Sequence, residues 1–241
     1  MKNPITDLKR FREFLKSIPL DKYRQELKDV KWVEQDLPKE ILPLSSIFKY
    51  YWEDRNFLGF EKWFEIFWDE INTNPESKKA LEKFKRYYFN RTLEENDWFK
   101  KGFKARMYRT YVSILTQLDF CYMFEYVSSK KGKNLTLECN AELDRKGIDA
   151  KVGNILFQIA KVSQRKEART ASRKKTIITI PYTVYNIEEF KKRMKSPRVK
   201  DESKIVYKKI LESFYKYFEQ LKNGFVVFKE HYLERIIDSI D

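Results

Sequence analysis

Asp144, Asp149 and Lys161 have the types and spacing to do chemistry. They lie in "LDRKGIDAKVGNILFQIAKVSQRK", residues 143 to 166. Two acids five residues apart, followed by a lysine on the next apolar run, suit phosphodiester hydrolysis. That reaction needs a divalent cation to polarise the phosphoryl oxygen, generate hydroxide and stabilise the leaving oxygen. Mg²⁺ is a hard ion that takes one or two carboxylates, with substrate phosphate and water completing its shell. A lysine beside it can hold the attacking water and offset charge developing on phosphorus. Asp149 is therefore read as the central metal ligand and Lys161 as the residue that positions or activates the water. The bland reading is that these are solvated hairpin charges, worth little to stability.

Strands must bring the two together. "GIDAKV" and "ILFQIAKV" read as strands joined by the tight turn Gly153-Asn154. Before them "LTLECNAEL" (135–143) alternates apolar and polar residues, the period of a half-buried strand. A further strand spans 176–185, and a helix opens at Asn186-Ile187-Glu188-Glu189. Another helix runs from about Ser203 to Leu221, where Asn223-Gly224 breaks it. "FVVF" is a short strand or apolar turn before a last helix through Ile236.

Up to about residue 128 the spacing is helical. Phe60, Trp63, Phe64, Phe67, Trp68 and Ile71 form one face of a helix, read as core although such a stripe could stack bases. "NTNPES" (72–77) caps the next helix, around Lys78 to Asn90. A longer one runs from about Glu95 to Val127, and its Lys101, Lys104, Arg106 and Arg109 either touch phosphates or form a solvated face. The basic break "SSKKGKN" (128–134) separates a helical region, 1–128, from a nuclease-like core, 129–241. The expected class is α/β (α+β): a helical N-terminal half, then a small mixed sheet flanked by helices.

"GIDAKV…ILFQIAK" resembles the core of the PD-(D/E)XK nucleases, in which an acid opens a strand and an acid-x-Lys triplet ends the next. The run Asp144-x-Lys146-Gly147-Ile148-Asp149, with "QIAK" and "RKEAR" after it, is similar to TaqI-like type II restriction endonucleases. Ile148 stands where the signature has proline. The triplet ending at Lys161 is Ile159-Ala160-Lys161, without an acid two before the lysine. Gln158 lies three before it, so strict alternation puts the two on opposite faces. Either a β-bulge brings Gln158 beside Lys161, or Gln158 is structural and another acid completes the metal site. Glu142 and Asp144 are the candidates, with Glu125 in reserve. The resemblance implies a restriction-endonuclease-like fold and a Mg²⁺ enzyme, with Mn²⁺ able to substitute and Ca²⁺ binding without supporting cleavage. It also implies a homodimer cutting a short palindrome, since a two-fold protein reads a two-fold site.

The charge distribution agrees. The 241 residues carry a formal net charge of +14, and residues 161 to 200 alone account for +10 of it. "SQRKEARTASRKK" has almost no apolar content and reads as a surface loop leaving the Lys161 strand. Its Arg165, Lys166, Arg169, Arg173, Lys174 and Lys175 are expected to contact double-stranded DNA, following the backbone and releasing counterions. Arginines there could also read guanine edges.

Other classes are disfavoured. No apolar run approaches the roughly 18–20 residues that span a bilayer, and the N-terminus lacks a signal-peptide core. Cys121 and Cys139 read as buried reduced thiols, which implies a cytoplasmic protein. A single histidine, His231, argues against structural zinc. Two rivals survive: a non-catalytic nucleic-acid-binding protein, and a nuclease of this fold acting in repair, on junctions or on RNA.

Overall fold

Apolar periodicity sets the first elements. The computed structural model describes residues 3–23, 25–26, 37–88, 93–133, 135–161, 177–183, 185 and 187–240. These form an α+β fold in which helices dominate. The chain divides into two compact units, Ser17–Leu118, and Met1–Lys16 with Asp119–Asp241. The sequence pattern puts a single cut at 128.

The first unit holds α2 (Leu44–Phe48), a π-turn (Lys49–Glu53), α3 (Phe60–Thr73), α4 (Pro75–Tyr88) and the start of α5 (Leu93–Lys130). The Asn74 side chain accepts hydrogen bonds from the Glu76 and Ser77 amides, both at 3.0 Å, and Pro75 opens α4. The α3 stripe is core: Trp63 and Phe64 are fully buried, and Trp63 lies 5.5 Å from the Tyr111 ring of α5. Rings so enclosed cannot stack on bases. Lys104 pairs with Glu61 and Glu65, so its charge is balanced within the protein.

The second unit contains α1 (Pro4–Lys16), the rest of α5, and α6 (Ala141–Arg145). After these come β1 (Ala150–Val152), β2 (Ile155–Lys161) and β3 (Ile177–Tyr182). Then follow α7 (Ile187–Lys195), α8 (Asp201–Tyr217), β4 (Phe218–Gln220), β5 (Val226–Phe228) and α9 (Glu230–Asp238). The main sheet has the order β1-β2-β3, with β1 antiparallel and β3 parallel to β2. Gly153 takes φ 55° in the hairpin turn, a conformation glycine adopts without strain. Phe157 of β2 packs 5.5 Å from Phe120 and 5.9 Å from Phe124, which seats the sheet on α5.

Two expectations need correction. The strand expected over 135–143 is reduced to one bridge, Glu138 to Lys151, followed by the one-turn helix α6. Asn140 caps that helix, its side chain accepting from the Glu142 and Leu143 amides, and Gly147 ends the turn at φ 73°. Cap and glycine override the alternation. The helix expected to reach Leu221 stops at Tyr217, because Phe218 turns extended and pairs with Phe228 across a two-stranded sheet. Burial of the Phe218 and Phe228 rings, 5.4 Å apart, favours the ladder over another helical turn.

Candidate active site

Asp149 sits at the entrance to β1. Its amide donates to the Phe157 carbonyl at 2.9 Å, although Phe157 already stands opposite Ala150. Two residues thus oppose one, the arrangement of a β-bulge, which bends a strand and re-aims a side chain. The carboxylate accepts a hydrogen bond from the Ile159 amide of β2. Part of the residue touches solvent, yet the carboxyl sits among protein atoms. Burial raises its pKa, the Ile159 amide opposes the rise, and the Asp144 carboxylate adds to it, leaving a value of about 7.

The two candidates for the second carboxylate part company on α6. Glu142 faces solvent and pairs with Lys146 at 2.8 Å, whose hydrogen bond lowers its pKa. Asp144 is half-buried, and its charge is felt at both Asp149 and the Cys139 thiol. Glu125 is partly buried on α5. Among the described residues, no three His, Cys, Asp or Glu side chains cluster.

β2 pairs with β3 one-to-one from Leu156 opposite Ile177 to Lys161 opposite Tyr182. No bulge interrupts the register between Gln158 and Lys161; the bulge of this hairpin lies at Asp149. Gln158 Oε1 is buried without a hydrogen-bond partner among the described atoms, one residue from the amide that holds Asp149. Lys161 is described as a strand position only. The expected DNA-contacting residues Arg165, Lys166, Arg169, Arg173, Lys174 and Lys175 lie outside the described residues.

Two neighbours carried no signal in the sequence. Burial, then the charge of Asp149, raises the Tyr182 phenol to about 12. Cys139, buried and free like Cys121, donates its thiol to the Asp149 carbonyl at 3.3 Å, and the two sulfurs lie 3.3 Å apart. Burial first, then the Cys121 contact, raises the Cys139 thiol, so it packs as a neutral group behind the acid.

A family model described as TaqI restriction endonuclease matches residues 8–240. The chain belongs to the TaqI restriction endonuclease family. It is 35% identical over 243 residues to the type II restriction enzyme TaqI of Thermus aquaticus, covering 95% of this chain and 86% of that enzyme. It is 33% identical over 241 residues to the type II restriction enzyme TthHB8I of Thermus thermophilus, covering 94% and 85%. No solved structure matches significantly. No helix among the described residues is long and apolar enough to cross a membrane.

The raised Asp149 carboxyl has a stability consequence. Asp149 is neutral in the metal-free folded protein up to about pH 7 but ionises near pH 4 when unfolded. Between those values the unfolded state gives up the proton first, so stability falls as pH rises, then levels off. Asp149→Asn keeps an acceptor for the Ile159 amide without the charge. The variant should therefore lie close to the parent at pH 4 and exceed it by about 4 kcal/mol at pH 8. Urea melts in EDTA at both pH values measure this; equal stability at pH 8 would refute the buried charge.

Proposed function

We propose that this protein is a Mg²⁺-dependent endonuclease that cuts double-stranded DNA at a short palindromic site, acting as a homodimer. Membership of a restriction endonuclease family over nearly the whole chain is the observation that carries the reading. The site's chemistry fits a hard divalent cation. Two carboxylates stand close enough for one to raise the other's pKa, a repulsion that a bound cation relieves. The unpartnered Gln158 oxygen is an acceptor suited to an ordered water.

Asp149 and Asp144 would hold the ion, which when bound supplies Lewis acidity toward the scissile phosphate. The bulge and the Ile159 amide fix one oxygen of Asp149 and so set the orientation of its carboxylate. Lys161, at the end of β2, would hold the attacking water and offset charge on the phosphate. The basic segment from Arg165 to Lys175 would follow the DNA backbone.

The test is plasmid cleavage with Mg²⁺, Mn²⁺ or Ca²⁺. Discrete fragments in Mg²⁺ or Mn²⁺, and none in Ca²⁺, are expected. DNA binding without cleavage in any of the three would favour a non-catalytic binding protein. The carboxylates also rank. Asp144→Asn should lose activity nearly as fully as Asp149→Ala, whereas Glu142→Gln, which removes a solvent-facing ion pair, should keep most of it. The reverse order would move the ion toward the tip of α6.

A further inference from the structure

Beyond the candidate site, α7 and the turn after it present cations that the fold does not use. The helix is anchored by Ile187, which is buried, and by Phe190, whose ring lies 5.4 Å from Tyr185 and 5.1 Å from Tyr207 of α8. Several of its charges are balanced locally. Lys191 pairs with Glu188 at 2.9 Å, Arg193 with Glu189 at 2.5 Å, and on α8 Lys204 pairs with Asp201 at 2.8 Å. Lys192, Lys195, Arg198 and Lys200 are left, all exposed and with no acid within ion-pair distance among the described residues. The sequence has no acid from Phe190 to Lys200.

A helix dipole accounts for part of this, since cations are favoured in a last turn. It covers Lys192 and Lys195 but not Arg198 and Lys200, which lie beyond the helix end. Lys191 and Lys195 stand four apart, where like charges repel. The Glu188 charge, beyond ion-pair distance, offsets Lys192 and Lys195 only in part, so the group gains from a polyanion.

Its position matches the reaction. β3 ends at Tyr182, opposite Lys161, and α7 begins five residues later. Five extended residues span at most about 17 Å, and the nine-residue helix is roughly 13 Å long. Lys192 and Lys195 therefore fall within about one duplex turn, some 34 Å, of the strand end that carries Lys161, and Arg198 and Lys200 follow within five residues of the helix end.

We propose that Lys192, Lys195, Arg198 and Lys200 form a docking surface for the DNA phosphate backbone flanking the cut. It positions the duplex and reads no bases. This inference rests on the DNA endonuclease reading above.

The variant K192A/K195A/R198A/K200A tests it. Binding to a 30-base-pair duplex of arbitrary sequence, followed in Ca²⁺ across a salt series, is the readout. Each lost phosphate contact removes about 0.9 from the slope of log affinity against log salt, so the slope should shallow by roughly 2–4. Thermal unfolding should match the parent, and cleavage should recover at low salt, because no group at the candidate site has changed. A charge-matched control, K62A/K78A/K79A/K83A, removes four exposed lysines of the other unit and should leave the slope in place. If the α7 variant keeps the parent slope while the parent binds and cuts DNA, the docking surface is refuted alone. Equal loss in the control also refutes it, since the effect would then be net charge. A parent that binds no duplex overturns the endonuclease reading and this surface together.

Discussion

A protein carrying Asp149→Ala should bind duplex DNA and fail to cut it. The carboxylate is fixed by the bulge at the entrance to β1 and by the Ile159 amide, and the Asp144 charge bears on it. On the proposed reading, alanine would remove a metal ligand and with it the means of generating hydroxide at the phosphate. A loss of at least about 10³-fold in cleavage is expected. Lys161→Ala should fall as far, because on the same proposed reading the water would lose its cationic neighbour. Affinity for DNA should hold in both variants, since counterion release depends on the many basic residues elsewhere. Metal-free stability separates a lost ligand from a damaged fold: Asp149→Ala removes a buried charge, so the variant should not melt earlier than the parent at pH 8. Single-turnover cleavage with saturating protein is the decisive measurement. A normal rate from Asp149→Ala would place the chemistry elsewhere in the chain.

Much of this is legible in the sequence because the relevant signals are local. The Gly153-Asn154 turn sets the β1–β2 hairpin, and apolar spacing gives α3 and α5 their core faces. Around Asp149 the local signals compete. From 135 to 143 the apolar–polar alternation is real, yet Asn140 and Gly147 are a helix cap and stop, and these win because they satisfy backbone groups at once. That choice separates Glu142 from Asp144, which an extended strand would not distinguish. A bulge does occur, but not between Gln158 and Lys161: the β2–β3 register is one-to-one, and the extra residue lies at Asp149. Long-range partners leave no trace. Nothing near Phe218 announces Phe228, and nothing near Cys139 announces Cys121.

The largest effect on stability is expected from such a long-range partner. Asp119 of α5 is fully buried, and its carboxylate accepts from Arg12 of α1 at 2.9 and 3.2 Å and from the Phe228 amide of β5 at 2.7 Å. Arg12 also donates to the Phe228 carbonyl at 2.5 Å, so one ion pair ties three elements distant in sequence. Asp119→Ala strands the guanidinium and leaves the Phe228 amide without its acceptor, a loss of roughly 3–5 kcal/mol. That is a large part of the 5–15 kcal/mol typical of a folded protein, and it corresponds to a melting point lower by roughly 6–20 °C. Asp119→Asn keeps an acceptor for the Phe228 amide and should lose less. Replacing both partners with apolar residues, Arg12→Met with Asp119→Leu, should recover part of the stability, because no buried charge is then left alone although the Phe228 amide still lacks its acceptor. A double-mutant cycle by urea melts gives the coupling directly. The strand that leads to Lys161 is seated by other side chains of α5, Phe120 and Phe124, against Phe157 of β2. Activity in Asp119→Ala should therefore fall with the folded fraction and return on cooling. Permanent loss of cleavage in fully folded Asp119→Ala would mean that this tie also sets the geometry of the site, and a melting point within about 2 °C of the parent would mean it holds nothing.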